Sequence, residues 1–340
     1  MKAWVVVRNS TSPKDALQLK TDLPVPAPVM TGNNILVKVS HAALNPADMH
    51  FMNVLPTWLP FRRTATPGLD FAGEVVATGP AAGDEFKVGA QVAAAMGTIH
   101  VTFGKGALAE YVVVPADMVS LKPEAMTLGQ AVGVCGVAGQ TAAIMVAAAD
   151  IKPNQKVMIN GASGGVGSVL LQVVKAKGAV VYAVCSASNA AMVKRLGADE
   201  AIDYNAHDPL ETFVAEKFEG GQLDIIFDCA GSQPLYSNSP RYLKPQGKFI
   251  SIVGGRTQGI VPYVRNKLRP VFLGGTPREF QLLGLFPAGV YARQAAKWVD
   301  EGVIKEAPID SEFPMEEVVQ AYEKLAGKHA KGKIVIKVSA

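Results

Sequence analysis

The stretch NGASGGVG, residues 160–167, decides the fold of this 340-residue chain. It follows the apolar run KVMI and precedes the amphipathic run SVLLQVVKAKG. A strand, a tight bend and a helix are therefore predicted, which is the setting that a dinucleotide fingerprint needs. Aligned on its second half, residues 162–167 form an A-x-G-x-x-G variant of that fingerprint. A plain strand-to-helix turn is the alternative.

The glycines of this bend have separate tasks in a cofactor site. Gly164 lets the backbone approach a pyrophosphate, and Gly165 opens a helix whose free N–H groups and positive dipole end face the anion. Gly167 permits close packing of the helix on the strand. The predicted cofactor-binding residues of the bend are Ala162, Ser163, Gly164, Gly165, Val166 and Gly167.

The runs around the bend alternate between strand and helix. Residues 179–185, 223–230 and 247–255 are nearly continuous apolar runs, as in parallel strands covered on both faces. A helix over 189–197 follows the first of them. This alternation predicts an α/β fold with a doubly wound parallel Rossmann sheet over residues 126–275.

The two ends of the chain have a different pattern. Short strand-like runs broken by Gly, Pro, Asn or Asp make residues 1–125 β-rich. Residues 127–150 are Ala-rich and mostly helical by pattern. Helices over 289–302 and 315–327 precede a last strand at 331–338.

The composition is that of an ordinary globular protein, with 49% hydrophobic residues, 18% charged residues and a net charge of +4. KHAKGK (328–333) is the one dense basic run, and a solvated turn explains it better than an anion site, so nucleic acid is not an expected partner.

No apolar run of membrane-spanning length lacks Gly, Pro or polar interruptions, and the first ten residues resemble a strand rather than a signal peptide. Cys135, Cys185 and Cys229 are isolated, which favours buried thiols and a cytoplasmic location.

The second predicted strand of the nucleotide domain ends without a carboxylate. Ser186, Ser188 and Asn189 stand where Asp or Glu would hold a free ribose 2′-hydroxyl. Hydroxyls and an amide tolerate a 2′-phosphate that a carboxylate would repel, so NADPH is predicted over NADH. Lys194 and Arg195 lie within two helical turns, where a role in binding and a solvated face are equally good explanations.

Further motifs occur in a fixed order along the chain. Together with the bend they resemble, nearly from end to end, the medium-chain dehydrogenase/reductase superfamily in its zinc-free quinone oxidoreductase and enoyl reductase branch. The segments that carry the resemblance are HAALNPADMH (41–50), PGLDFAGEVVATG (67–79), GALAEYVVVP (106–115), VAGQTAA (137–143), LGADEAIDY (196–204), DCAG (228–231) and GKIVI (332–336).

The resemblance implies a domain arrangement and an assembly. Residues 1–125 and 276–340 would form a β-rich GroES-like catalytic domain, into which the Rossmann NADP-binding domain is inserted. It also implies a homodimer, or a tetramer built from dimers, in which RPVFLGG (269–275) is the edge strand that pairs between subunits. A covered edge in a monomer is the alternative.

The resemblance also assigns cofactor contacts outside the bend. Thr141, Gly254 and the Ile252-Val253 backbone would line the nicotinamide. Tyr204 and Lys333 would approach the adenosine phosphate or ribose, with a core-edge tyrosine and a surface lysine as alternatives. Many relatives carry Lys where this chain has Asn189, as a partner for the 2′-phosphate.

The ligands of zinc are missing. Zinc-using members of the superfamily have a Cys near Asn45, a His-Glu pair near Leu69-Asp70 and a second Cys near Cys135. Only Cys135 remains, and one thiol is not a zinc site, so no metal is predicted. Without a metal the substrate must delocalise its own developing charge, as quinones, α,β-unsaturated carbonyl compounds and enoyl thioesters do.

Asn45 is the predicted catalytic residue, with its amide near the nicotinamide and the substrate oxygen. A loop-capping Asn before Pro46 is the alternative, and Asp48 is either a nearby acid or a helix cap.

The stretches 52–61 and 280–291 suit a small apolar substrate, but they also suit a core or a dimer face. Arg62-Arg63 would attract an acidic substrate tail or form an exposed pair. A non-enzymatic, crystallin-like or regulatory NADPH-binding relative is the alternative to the enzyme.

Overall fold

The structure, a computed structural model, describes residues 1–26, 32–62, 64–253, 266 and 268–339. Contacts group the chain into two compact units. The first unit comprises Met1–Gln140, Phe286–Gly302 and Ala307–Ala340, and the second comprises Thr141–Leu285 and Val303–Glu306.

The strands are β1 (Ala3–Val6), β2 (Leu17–Lys20), β3 (Asn34–Ala43), β4 (Asp70–Thr78), β5 (Gln91–Ala95), β6 (Tyr111–Pro115), β7 (Ser120–Leu121), β8 (Lys156–Asn160), β9 (Val180–Cys185), β10 (Glu200–Asp203), β11 (Leu223–Asp228), β12 (Leu243–Ser251), β13 (Glu279–Leu282), β14 (Ile309–Pro314) and β15 (Lys333–Lys337). The α-helices of the described residues are Pro13–Ala16, Pro46–Met52, Thr98–Thr102, Leu128–Cys135, Val137–Ala149, Gly165–Ala176, Ala190–Arg195, Leu210–Lys217, Gln233–Ser237, Gly289–Asp300 and Val318–Ala326.

The second unit is built on a six-stranded parallel sheet in the order β10-β9-β8-β11-β12-β13. Its central strands β8 and β11 are almost wholly buried, which explains their apolar sequences. The strand order reverses between β8 and β11, as in a doubly wound sheet, where ligands bind at the carboxyl ends of the strands. The predicted Rossmann fold is confirmed.

The first unit is built on a mixed seven-stranded sheet in the order β14-β15-β3-β4-β5-β7, with β6 paired to β3. A two-stranded sheet of β1 and β2 accompanies it. Helix Val318–Ala326 contributes one apolar face to the core, because Val318, Ala321 and Tyr322 recur at helical spacing and are buried. This β-rich unit made from both chain ends is the GroES-like part of the predicted fold.

The unit boundaries lie later in the chain than 125/126 and 275/276, where the sequence predicts them. Helix Leu128–Cys135 contacts β3, β4 and β5, so it belongs to the first unit. The change in sequence pattern near Thr127 marks a new element rather than a new unit.

The stretch 269–275 is not the predicted edge strand. The structure has a 3-10 helix at Val271–Leu273, followed by Gly274 with a φ of 86°. The N–H groups of Leu273 and Gly275 both donate to the Pro270 carbonyl, at 3.0 Å each, and turn the chain back on itself. The edge strand of the second unit is instead β13, which pairs with β12.

A four-residue segment, Val303–Glu306, joins the second unit although both its flanks belong to the first. The buried Gln172 side chain accepts from the amides of Lys305 and Glu306 at 2.8 and 3.2 Å, and it donates to the Glu306 carbonyl at 2.8 Å. Arg195 adds two hydrogen bonds to the Glu306 carboxylate, at 2.9 and 2.7 Å. These contacts fasten the segment to helices Gly165–Ala176 and Ala190–Arg195.

One stretch of the described residues, Leu128–Ala149, is long and apolar enough to cross a membrane, but 78% of its apolar window is buried inside the protein. Burial of this extent is what a core helix shows. Cys135 and Cys185 are buried and Cys229 is half-buried, and all three are free thiols.

Candidate active site

The glycine bend lies at the carboxyl end of β8 and leads into helix Gly165–Ala176. The amides of Gly161 and Ala162 donate to the Val184 carbonyl of β9, at 3.2 and 3.0 Å, which ties the bend to the neighbouring strand. Gly161 has a φ of 79°, a conformation that favours glycine. A Cβ on Gly167 would lie 2.2 Å from the Gly161 carbonyl oxygen, so Gly167 allows the helix to lie close to the strand.

Gly164, in contrast, is a glycine that the protein itself does not require. Its φ of −78° is open to any residue, and a Cβ there would come no closer than 3.5 Å to the Gly161 carbonyl oxygen. As the N-cap it offers no side chain to the first N–H groups of the helix. The free space and these N–H groups fit an anion such as a pyrophosphate.

A buried amide with an unused acceptor lies next to the bend. Asn189, 6% exposed, donates its Nδ2 to the Ser163 Oγ at 3.0 Å. Its Oδ1 has no hydrogen-bond partner among the residues that the structure describes. Because buried polar atoms nearly always have a partner, this oxygen fits a ligand donor such as a ribose hydroxyl. The described residues of the second unit therefore fit a dinucleotide.

The predicted 2′-phosphate region lies where the chain leaves β9. The hydroxyl oxygens of Ser186 and Ser188 are 3.1 Å apart, and Ser188 is exposed. Arg195 is engaged by Glu306, and this partner raises the pKa of its guanidinium. This ion pair with Glu306 gives the Arg195 guanidinium a partner within the protein, so no bound cofactor is required to explain its position.

Asp228 organises the same edge of the sheet. Its carboxylate accepts from the Asn160 Nδ2 at 2.8 Å, which links the ends of β8 and β11. It also accepts from the backbone amides of Ala230, Gly231 and Ser232, at 3.2, 2.8 and 2.8 Å. Asp228 belongs to the motif DCAG, for which the sequence alone predicts no task of this residue. Its position at a strand end beside glycine is the signal that could have identified it.

The other predicted cofactor contacts are distributed around this unit. Thr141 is buried, whereas Tyr204 follows β10 and is exposed. Ile252 donates its amide to the Asp228 carbonyl at 3.2 Å, and Val253 donates its amide to the Ser251 Oγ at 3.2 Å. Gly254 lies outside the described residues. Their contacts with a nicotinamide or adenosine stay predictions.

The first unit contains a second cluster, made of charged and amide groups. Asn45 is the N-cap of helix Pro46–Met52 and is 4% exposed. Its Nδ2 donates to the Asp70 Oδ2 at 2.9 Å, and its Oδ1 accepts from the Lys333 Nζ at 2.7 Å. Asp70 also accepts from the Val137 amide at 2.7 Å, at the start of the next helix. Asn45 thus occupies the N-cap position before Pro46, in line with the capping alternative, and it also belongs to a buried polar network.

Lys333 is buried and not on the surface. Its ammonium donates to the Leu44 carbonyl at 2.9 Å, to the Asn45 Oδ1 at 2.7 Å and to the Asp70 Oδ2 at 3.0 Å. Three acceptors use all three N–H groups of an ammonium. The predicted contact with the adenosine stays a prediction, and this arrangement leaves no N–H for it.

Asp48 lies beside this cluster and is fully buried. Its carboxylate accepts from the amides of Asn45 and Leu69, at 2.8 and 3.1 Å, and from the Tyr322 hydroxyl at 3.3 Å. Burial raises the pKa of Asp48 to about 7, and the negative charge of Asp70 acts in the same direction. The donated hydrogen bonds and the positive charge of Lys333 oppose the increase in pKa.

Glycines in the long helical stretch make room for this cluster. A Cβ on Gly133 would lie 3.1 Å from the Lys333 Cγ, and one on Gly136 would lie 2.5 Å from the Asp70 Cγ. Gly129, on the same face, lies against His41. The spacing of these glycines along the helical stretch is a sequence signal that could have predicted a close contact on this face.

The residues near the zinc-ligand positions of the resembling superfamily have other contacts in this protein. Asp70 takes part in the ion pair with Lys333. Cys135 is buried, and burial raises the pKa of its thiol to about 12. Over the described ranges, no group of three or more His, Cys, Asp or Glu side chains is arranged to hold a metal ion.

Arg62 is neither an exposed residue nor a free attractor of an acidic tail. It is buried, and its guanidinium donates to the carbonyls of Met52 and Thr102, at 2.8 and 2.9 Å. These carbonyls belong to the last residues of two short helices, where a cation is favourable. Arg63 lies outside the described residues.

Of the apolar stretch 52–61, Met52 lies in the core, whereas Trp58 and Phe61 are exposed. The ring of Phe61 lies 5.3 Å from that of Phe103 between centroids. In the stretch 280–291, residues 280–282 belong to the edge strand β13 and Phe286 is exposed. Neither stretch is therefore simply core.

Two models of known protein families match parts of the chain. Residues 31–124 match the family described as Alcohol dehydrogenase GroES-like domain, and residues 196–336 match the one described as Zinc-binding dehydrogenase. The chain is 34% identical to the medium chain reductase pydE of an Acremonium species, over 99% of each protein. The chain belongs to the medium-chain dehydrogenase/reductase superfamily. Its relatives place it in the zinc-free branch, as the sequence motifs predict.

Two further relatives indicate the branch of the superfamily to which this member belongs. It is 31% identical to the trans-enoyl reductase pgmF of Aspergillus terreus, over 99% of this chain and 96% of the relative. The structure of the quinone oxidoreductase from Coxiella burnetii superposes with a TM-score of 0.80 and 29% identity, covering 100% of this chain and 99% of that one. The superfamily member is an NAD(P)-dependent oxidoreductase, which confirms the coarser part of the cofactor prediction.

The two glycines of the bend should respond differently to an added methyl group. Gly167→Ala should destabilise the fold by about 1–3 kcal/mol, as expected for overpacking against backbone. Gly164→Ala should leave thermal stability unchanged and weaken NADPH binding, because its Cβ would meet only the cofactor. Thermal unfolding and NADPH fluorescence titration measure the two effects. Unchanged binding in Gly164→Ala would show that the free space at this position is not a cofactor site.

The buried Asp48 should make stability depend on pH. A carboxyl group whose pKa rises from 3.8 in the unfolded chain to about 7 in the folded one stabilises the fold fully below 3.8 and loses this effect as the pH rises through about 7. Each unit of pKa difference corresponds to about 1.4 kcal/mol. The unfolding free energy of the wild type, minus that of Asp48→Asn, should therefore decrease across this range in denaturant titrations. A flat difference would mean that Asp48 is ionised throughout.

Proposed function

We propose that this protein is an NADPH-dependent reductase that transfers hydride to quinones or to α,β-unsaturated carbonyl compounds, including enoyl thioesters, without zinc. The observation that carries the proposal is the buried cluster in which Lys333 donates to Asn45 and Asp70, two residues near the positions where zinc-using members have ligands. An ammonium with three protein acceptors provides fixed charge but no open coordination position. Substrates that delocalise their own charge suit such a site. The relatives named trans-enoyl reductase and quinone oxidoreductase support the same substrate classes.

The chain's own groups account for binding and charge stabilisation. A bound reduced nicotinamide supplies the hydride. The N–H groups at the start of helix Gly165–Ala176 would hold the pyrophosphate, and the Asn189 Oδ1 would accept from a ribose hydroxyl. In the first unit, the Asn45 amide donates to the substrate oxygen on which negative charge develops. The relatives carry names of reductases and oxidoreductases, and nothing favours the non-enzymatic alternative.

The preference for NADPH rests on the groups after β9. Ser186 and Ser188 present hydroxyls where a carboxylate would exclude a 2′-phosphate. The Asn189 acceptor does not decide between the coenzymes, because both carry a ribose hydroxyl. A cytoplasmic location stays a prediction.

A second copy of this chain is the proposed partner of the exposed edge of the second unit. In the stretch that precedes the edge strand β13 in the chain, Leu268, Val271, Phe272 and Leu273 are exposed, with Phe272 at 85%. An edge strand flanked by apolar side chains suits a two-fold pairing with an identical edge. We propose a homodimer formed through this edge.

The reaction class has a direct test. The protein with NADPH should reduce naphthoquinone or cyclohexenone, and with NADP⁺ it should leave isopropanol unchanged. A saturated alcohol has a pKa of roughly that of water, about 16, and requires a Lewis acid or proton relay to release its proton. Absorbance of NADPH at fixed protein concentration follows both reactions, and chelators should have no effect. Rapid isopropanol oxidation would contradict the proposed mechanism.

Coenzyme preference should change in Ser186→Asp. The carboxylate would repel a 2′-phosphate by on the order of 1–4 kcal/mol at close range. Dissociation constants for NADPH and NADH should therefore shift towards NADH, whereas the uncharged variant Ser186→Asn should keep the preference of the wild type. Equal affinity of the wild type for both coenzymes would contradict the proposed preference for NADPH, on which this test depends.

Dimer formation should depend on Phe272. Phe272→Asp places a charge in the proposed interface and should give monomers in analytical ultracentrifugation. Val88→Asp, at an exposed apolar residue of the first unit, is the matched control and should stay dimeric. A Phe272 variant that sediments like the wild type would exclude this edge as the interface.

A further inference from the structure

The Asn45 amide lies between two oppositely charged groups of the first unit. The Lys333 ammonium donates to its oxygen, and its nitrogen donates to the Asp70 carboxylate, at 2.7 and 2.9 Å. Turning the amide over would set its NH₂ group against the ammonium and its oxygen against the carboxylate. The ion pair therefore allows only one orientation of the amide.

Lys333 acts only through its neighbours. Its three N–H groups have three acceptors inside the unit, so none is left for a substrate or a cofactor. Its charge also compensates that of Asp70, at 3.0 Å. Without this compensation, a buried carboxylate would oppose any negative charge that develops nearby.

The second N–H of the Asn45 amide is the weakly held donor of the cluster. Its nearest acceptor is the Ala43 carbonyl at 3.4 Å, beyond the usual range of about 2.7–3.2 Å for such a bond. A cation at the amide oxygen draws electron density from the amide nitrogen, which strengthens the remaining N–H as a donor.

We propose that Lys333 is a positioning residue, which orients and polarises the Asn45 amide and compensates Asp70, so that the second amide N–H donates to the substrate oxygen as charge develops. The proposal rests on the proposed function. It assigns the buried ammonium an electrostatic effect on the reaction without contact with the reacting atoms.

The test is a double-mutant cycle of Asn45→Ala and Lys333→Met, with turnover measured by NADPH oxidation in the presence of naphthoquinone and of cyclohexenone. Each single variant should lose turnover by on the order of 100-fold, the size seen when one donor to a developing oxyanion is removed. The NADPH dissociation constant should change much less than turnover, because the groups that fit the pyrophosphate and the ribose lie in the second unit. The double variant should lose far less turnover than the product of the two single losses, because the effect of Lys333 on the amide disappears with Asn45 and only its compensation of Asp70 remains to be lost.

Lys337→Met is the matched control, since Lys337 lies on the same strand with an exposed side chain. It should keep the turnover of the wild type. A Lys333→Met variant as fast as this control would overturn the proposal, and so would additive losses in the cycle, which indicate a merely structural lysine.

Lys333→Met leaves the Asp70 charge buried without its partner and can fail to fold for that reason alone. The variant Lys333→Met/Asp70→Asn replaces both charges by neutral groups and avoids this defect. It should fold and still be slow, and wild-type turnover in it would overturn the proposal. A wild type that is inactive with both acceptors would refute the proposed function and this inference together, whereas an active wild type with additive losses refutes the inference alone.

Discussion

The carboxylate of Asp70 joins three separate elements of the first unit by hydrogen bonds. One oxygen accepts from the Lys333 ammonium and the Asn45 amide, and the other accepts from the Val137 backbone amide. These donors come from the last strand, from the start of a short helix and from a helix junction. Removal of one partner of such a buried pair typically costs about 3–5 kcal/mol, because it leaves a charge without compensation. Gly136 belongs to the same arrangement, because any side chain there would meet the carboxylate.

The two units use their polar groups in different ways. In the first, every N–H of Lys333 has an acceptor, and Asp48 has three donors. In the second, the Asn189 Oδ1 has no partner among the described residues, and Gly164 leaves space that no neighbouring atom fills. Saturated groups set a fixed electrostatic environment, whereas unsatisfied groups provide binding capacity. This contrast between the two clusters supports the proposal that the second unit binds the cofactor and that the first stabilises charge.

The parts of the structure that the sequence predicts are those set by local pattern. The bend at 160–167, the apolar strands around it and the helix after it follow from periodicity and glycine position, and all are present. The Lys333–Asp70 pair joins residues 263 positions apart, and no local pattern specifies a contact at that distance in the chain. The resemblance to the superfamily implies an edge strand at 269–275, and this prediction is wrong because Pro270 and Gly274 flank a 3-10 turn there. Tyr322 illustrates the same limit, since it looks like an ordinary helix residue until the fold brings its hydroxyl to Asp48.

The anchoring of Val303–Glu306 has a consequence for how the protein can be divided. The nucleotide-binding unit is not one continuous piece of chain, because these four residues belong to it although they follow a helix of the other unit. A fragment ending at residue 285 would deprive the buried Gln172 amide of its partners in Lys305 and Glu306, and would leave Arg195 without Glu306. Domain-swap chimaeras between superfamily members should therefore exchange this short segment along with the nucleotide-binding part.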